Sequence, residues 1–246
     1  MSRAFAFLGS GEFEPWSHEV DRWLLARSAR PQGPVLILPT ASAPEGDDVF
    51  GRWGERGRTH FSEAGIPAEV VPLKGRADAD DPGIVRRMDQ AAMVYFSGGN
   101  PVHLVTTLDG TAFWKALVRR LDEGLAFAGC SAGVSFLGEM APDSSAPDPR
   151  ARDIWRPAMA MFRGVVFGPH WDMLDTYVPG LGQATIDAMP AGSRLLAIDE
   201  RTAVVGDGTR WSVIGTGLAR LLEGGRWKRW APGETFEARL LDPVSA

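Results

Sequence analysis

Cysteine is nearly absent: Cys130 is the single one, so no disulfide can close within the chain, and a reducing cytoplasm is the compartment it fits. Histidine is scarce too. The four at 18, 60, 103 and 170 are too dispersed for the ligand spacing of a zinc site, and no metal is expected. No apolar stretch approaches the roughly 18 residues of a membrane span. The N-terminal run Ala4–Leu8 is too short for a signal-peptide core and ends in Gly9-Ser10-Gly11-Glu12. The expectation is therefore a cytoplasmic protein that neither spans a membrane nor carries a standard export signal. Two patterns that cradle nucleotides, the phosphate loop and G-x-G-x-x-G, are missing, and no cofactor is expected. Positive charge is not in excess either. A formal net charge of −5 argues against the clustered cationic surface that a nucleic-acid partner requires, and Arg119-Arg120 and Arg226-Trp227-Lys228-Arg229 read as solvated faces.

What remains is an ordinary globular composition, 44% apolar and 23% charged over 246 residues, which fits a single α/β domain spanning 1–246. Ala4–Leu8 reads as a buried strand followed by a helix carrying Trp16, Val20, Trp23 and Leu24 at helical spacing. Val35–Leu38 is a second strand. Residues 46–64 form a weaker helix, because Gly51, Gly54 and Gly57 each cost about 1 kcal/mol against alanine. Ala68–Leu73 is a third strand, Asp78–Pro82 a polar loop, Ile84–Gln90 a short helix and Ala92–Phe96 a fourth strand. Thr111 caps a helix with Phe113, Leu117, Val118 and Leu121 on one face, and Gly124 ends it. Almost uncharged strands alternating with amphipathic helices indicate a mostly parallel central sheet covered on both faces. Pro142–Pro149 reads as an exposed loop, and the segments 195–198, 202–205, 211–214 and 218–222 as C-terminal antiparallel strands.

The run from Leu125 to Val134 breaks this rhythm. Its apolar strand ends in Gly129-Cys130-Ser131-Ala132-Gly133 and a helix starts at once, the form of a strand-nucleophile-helix elbow over 129–133. The same pattern also fits a tight turn that happens to carry a serine. A serine hydroxyl needs a base and an oxyanion pocket. His170 alone among the histidines directly follows a strand in a loop, while His18 and His60 fall inside helices as surface or packing residues. Ala132 offers the oxyanion amide after the nucleophile, and Gly98-Gly99-Asn100 is the candidate for the second, unless it is a plain turn into the next helix. Cys130 is expected to point back into the structure as a small buried residue. Gly98, Asn100, His103 and Trp171 are the candidates for a substrate pocket.

In this order, Gly-Ser-Gly-Glu at 9–12, Phe-Ser-Gly-Gly-Asn-Pro at 96–101, Gly-Cys-Ser-Ala-Gly at 129–133, Gly-Pro-His-Trp at 168–171 and Ile-Asp-Glu-Arg-Thr-Ala-Val at 198–204 resemble the dipeptidase E and cyanophycinase family of serine peptidases. The resemblance implies a three-layer sandwich like the class I glutamine amidotransferases (flavodoxin-like), with serine replacing their cysteine. It implies a Ser-His-acid triad acting through an acyl-enzyme, and cleavage of small peptides after an N-terminal or isopeptide-linked aspartate. Carried over residue by residue, Ser131 is the nucleophile, His170 the base and Gly99 with Ala132 the oxyanion amides. The acid lies between nucleophile and histidine, as Asp148 or, with a different gap, Asp143. Glu139 is expected at the surface, and Asp199-Glu200, although it matches a family motif, is expected to play a structural part at a strand end.

One departure stands out. Family members that read acidic substrates carry arginine shortly after the histidine, whereas residues 171–190 hold no Arg or Lys. Burying a substrate carboxylate without a cation is costly. Trp171, Met173 and Tyr177 therefore fit a more apolar or differently shaped pocket, and equally the core of a helix. Two further readings stay open: hydrolysis of an ester or non-peptide amide, and a non-catalytic binding member of the fold, for which His170 would lie beyond hydrogen-bond reach of Ser131. Nine tryptophans provide apolar surface for a homodimer or for a monomer core.

Overall fold

The first strand is apolar at every position, and it is completely enclosed. In the computed structural model, which describes residues 3–241, β1 (Ala4–Leu8) lies between two neighbours of opposite sense. On one side it runs parallel to β5 (Ala126–Cys130), followed outward by β4 (Met93–Phe96), β2 (Val35–Leu38) and β3 (Ala68–Val70), all parallel. On the other side come the antiparallel strands β10 (Thr202–Gly206), β11 (Arg210–Gly215) and β14 (Thr235–Glu237). The order of this eight-stranded sheet is β14-β11-β10-β1-β5-β4-β2-β3. A four-stranded sheet holds β8 (Val165–Gly168), β9 (Arg194–Ile198), β12 (Ala219–Glu223) and β13 (Arg226–Trp230), with β8 and β9 parallel. A small ribbon pairs β6 (Met140–Pro142) with β7 (Trp155–Pro157).

Side chains alternate across a strand. Ala4, Ala6 and Leu8 therefore pack with Val20 and Leu24 of α1 (His18–Leu25) and Phe61 of α2 (Asp47–Glu63). Phe5 and Phe7 face the other way. They join a second cluster with Leu104 of α5 (Pro101–Leu108), Phe113 and Leu117 of α6 (Ala112–Asp122), and Phe167 and Leu196 of the smaller sheet. Between these elements run the short helices α3 (Arg76–Ala79), α4 (Pro82–Arg86), α7 (Ala132–Ser135), α8 (Leu174–Tyr177) and α9 (Leu181–Ala188). The result is the expected α/β sandwich around a mostly parallel sheet.

Four local differences have physical causes. The segment read as a polar loop at 78–82 contains the end of α3, whose Asp78 side chain accepts the N–H groups of Lys74 and Gly75. The strand expected over 68–73 pairs only as far as Val70. The C-terminal strands do not form one antiparallel set but divide between the two sheets; Arg226–Arg229 is exposed as read, and belongs to the strand Arg226–Trp230. Finally, α2 is unbroken despite three glycines. A Cβ at Gly54 would stand 2.8 Å from Val70, and one at Gly57 would stand 2.9 Å from Phe13 and 3.1 Å from Ile37, so these two glycines let the helix lie close on the sheet.

Gly51 faces open space, so Gly51→Ala should stabilise the protein by up to about 1 kcal/mol through helix propensity alone. Gly57→Ala gains the same propensity but overpacks a buried contact, at about 1–3 kcal/mol. Urea denaturation should move the midpoint up for the first variant and down for the second.

Candidate functional site

Because β1, β4 and β5 are parallel, their carboxyl ends meet at one edge: Leu8 stands beside Cys130, and Phe96 beside Gly129. The loops after them carry Gly9–Glu12, Ser97–Asn100 and Ser131. Ser131 has φ 52° and ψ −112°, a conformation that side chains rarely adopt. It is held there by its neighbours. A Cβ at Gly129 would collide with the Gly133 carbonyl, and one at Gly133 with the Phe96 carbonyl, so only glycine lets strand, turn and helix pass this closely.

His170 follows β8 in a second left-handed conformation, φ 55°. Its Nε2 lies 2.9 Å from Ser131 Oγ, and its Nδ1 lies 2.9 Å from Oε1 of Glu200. Tyr177 of α8 donates its hydroxyl to the same carboxylate oxygen at 2.6 Å, and the Glu200 N–H is held by Asp172 at 2.8 Å. Partial burial alone would raise the Glu200 carboxyl, but the bonds from Tyr177 and His170 outweigh it and hold the carboxyl below its usual value. An ionised carboxylate on Nδ1 fixes the tautomer whose Nε2 can take a proton from a hydroxyl.

The carboxylate on His170 is thus neither of the two aspartates considered from the sequence. Asp148 is exposed and accepts the backbone N–H and the guanidinium of Arg150. Asp143 accepts from Asn100 Nδ2 at 2.8 Å and from the hydroxyl and N–H of Ser145. Glu200 was visible in the sequence within Ile198-Asp199-Glu200-Arg201, directly after an apolar strand, but was read as structural. Its neighbour Asp199 does that work by binding the Leu218 N–H and Arg220.

Other expectations divide. Ala132 is the first residue of α7, so its N–H lies outside the helix's own bonding, and Gly99 lines the cavity at Ser131. Gly98 packs beside Ser131, with its N–H bound to the buried carboxylate of Glu12 at 3.0 Å. Cys130 is fully buried and donates to the other Glu12 oxygen, and burial pushes its thiol pKa well up, so it does not compete as a nucleophile. Asn100 touches the cavity only through Asp143, while capping α5. His103 does not line the cavity: it bonds the Lys74 carbonyl at 2.9 Å. Trp171 packs against Trp227 at 5.5 Å between ring centres, away from Ser131. Tyr177 is the partner of Glu200 rather than a pocket wall.

The cavity beside Ser131 encloses about 250 Å³ and reaches under the 142–155 segment, which is therefore part of the site and not merely an exposed loop. His18, Asp21 and His60 also meet, on α1 and α2, with ligand-type atoms within 4.8 Å of one another, a grouping the sequence spacing did not reveal. Among the described residues no helix is long and apolar enough to cross a membrane.

This arrangement has relatives. The model of Peptidase family S51 matches residues 5–214. The chain belongs to peptidase family S51. The S51 chain is thus a serine-type peptidase, and the resemblance to the dipeptidase E family holds. A peptidase from an acI-B1 Actinobacterium has a similar structure, with TM-score 0.86 and 28% identity over 97% of this chain and 98% of the other. A Listeria monocytogenes EGD-e protein provisionally assigned as a peptidase E shares the fold, with TM-score 0.61 and 15% identity over 88% of this chain and all of the other, 100%.

Tyr177→Phe removes one of the donors that offset the burial of Glu200. The Glu200 carboxyl should then titrate at higher pH than in the unmodified protein, an ordering that a carbon-detected NMR titration of the side-chain carboxyl reads directly.

Proposed function

We propose that this S51 peptidase hydrolyses short peptides through an acyl-enzyme on Ser131, with His170 as general base and Glu200, rather than an aspartate, orienting the imidazole. The observation that carries this reading is the continuous hydrogen-bond chain from Ser131 Oγ through both nitrogens of His170 to Glu200. Ser131 Oγ attacks the scissile carbonyl carbon while its proton passes to His170 Nε2. The developing oxyanion is received by the N–H groups of Gly99 and Ala132. The C–N bond then breaks, and His170 returns the proton to the leaving amine. Water attacks the resulting ester, gives a proton to His170, and releases the acid as Ser131 recovers its hydroxyl. A cavity of about 250 Å³ suits one side chain better than a long polymer. The 2.9 Å contact between Ser131 and His170 also argues against a purely binding member of the fold.

A fluorophosphonate probe should label the protein, and Ser131→Ala should abolish labelling; labelling that persists in the variant refutes the nucleophile. Glu200→Gln should slow labelling by about 10²–10⁴-fold. Asp148→Asn should label at the unmodified rate. The opposite ranking would return the acid to the 142–149 loop. A dipeptide panel run beside simple esters separates peptide from ester hydrolysis.

A further inference from the structure

The wall of the Ser131 cavity is mostly apolar, and among the described residues that line it the one carboxylate is Asp143. Pro142, Ile154, Trp155, Phe167, Leu174 and Leu181 are among its lining residues, and among the described residues that line it there is no Lys or Arg. Asp143 stands in the same wall. Three hydrogen bonds, from Asn100 Nδ2, Ser145 N and Ser145 Oγ, all fall on its Oδ1, which fixes the side chain and leaves Oδ2 outside them. The donors from Ser145 and Asn100 hold the carboxyl below its usual range, so it is an anion at neutral pH. Arg156, whose charge also acts on it, is engaged by the carbonyls of Asp153 and Trp155.

Resting on the acyl-enzyme reading above, we infer that the substrate is a short peptide with a free N-terminus and a bulky apolar first residue, whose side chain fills this cavity and whose ammonium pairs with Asp143. An aspartyl side chain in the same place would lose its hydration to an apolar wall, without a cation and beside a fixed anion, which makes it the disfavoured substrate. The ammonium meets the opposite conditions. Pairing it with a carboxylate already oriented by three donors adds little further ordering. The loop 142–149 therefore sets specificity, not the acid of the triad.

The test is a panel of leucyl, phenylalanyl and aspartyl dipeptides with a common second residue, together with N-acetyl-leucyl and N-acetyl-lysyl counterparts. Leucyl and phenylalanyl substrates should exceed the aspartyl one in kcat/KM by about 100-fold, and acetylation should cost about tenfold or more, mostly in KM. Asp143→Asn should bring the ratio of free to acetylated substrate toward one. Leu181→Arg, which puts a cation into the wall, should raise the aspartyl substrate relative to the leucyl one, an independent readout if the first variant folds poorly. A preference for the aspartyl dipeptide, or indifference to acetylation, overturns the inference. Equal cleavage of the acetyl-lysyl substrate assigns the ammonium to a side chain and overturns it as well. Fluorophosphonate labelling of Ser131 with no cleavage of any panel member refutes this specificity alone, whereas absence of labelling removes the acyl-enzyme reading on which it rests.

Discussion

The site depends on a seam. β9 belongs to the smaller sheet and β10 to the larger one, and the chain crosses from one to the other within Asp199–Arg201. The crossing is tight enough that Arg201 takes φ 49° and that a Cβ on Gly9 would collide with the carbonyls of Ile198 and Asp199. Gly9 donates its N–H to Thr202 across the same gap, and Asp199 pins the far side through Leu218 and Arg220. Glu200 is therefore fixed where the two sheets meet. His170 reaches it from β8, and Ser131 reaches His170 from β5, so this hydrogen-bond chain joins the sheets at the point where the polypeptide itself does.

Carboxylates crowd this edge, and each is tied to specific donors. Glu12 bridges the Gly98 amide and the Cys130 thiol, Asp172 holds the Glu200 amide, Glu200 takes His170 and Tyr177, and Asp143 takes Asn100 and Ser145. Such tethering holds each of these side chains in one place through hydrogen bonds.

The parallel half of the fold was legible because its physics is local. β1, β2, β4 and β5 are short uncharged runs ending in glycine or proline turns, and the elbow announces itself by glycines at 129 and 133 whose reason is steric. His170 was legible for the same cause, as a histidine at a strand end. Glu200 was not separable from Asp199, because which of two adjacent acids faces the histidine is set by the strand's exit into another sheet, which adjacent residues do not record. Asp148 looked suitable only while its partner Arg150 was unplaced. Trp171 and His103 were credited to the pocket by proximity in sequence to functional residues, but their side chains turn toward Trp227 and Lys74. The wall that does form comes from β7, β8, α8 and α9 and their approaches, elements no single motif links.

β1 also governs the order in which the protein can assemble. It is the earliest strand in the chain, fully apolar, and both its neighbours come much later, β5 at Ala126–Cys130 and β10 at Thr202–Gly206. During synthesis, therefore, Ala4–Leu8 has no native edge to join until more than half of the polypeptide has emerged, and its second edge arrives only near the end. Such long-range pairing slows folding and leaves a sticky segment uncovered meanwhile. The final strand to dock on β1 is also the one that follows Glu200, so the Ser131 hydroxyl and the His170 imidazole meet this carboxylate only at the step that closes the sheet.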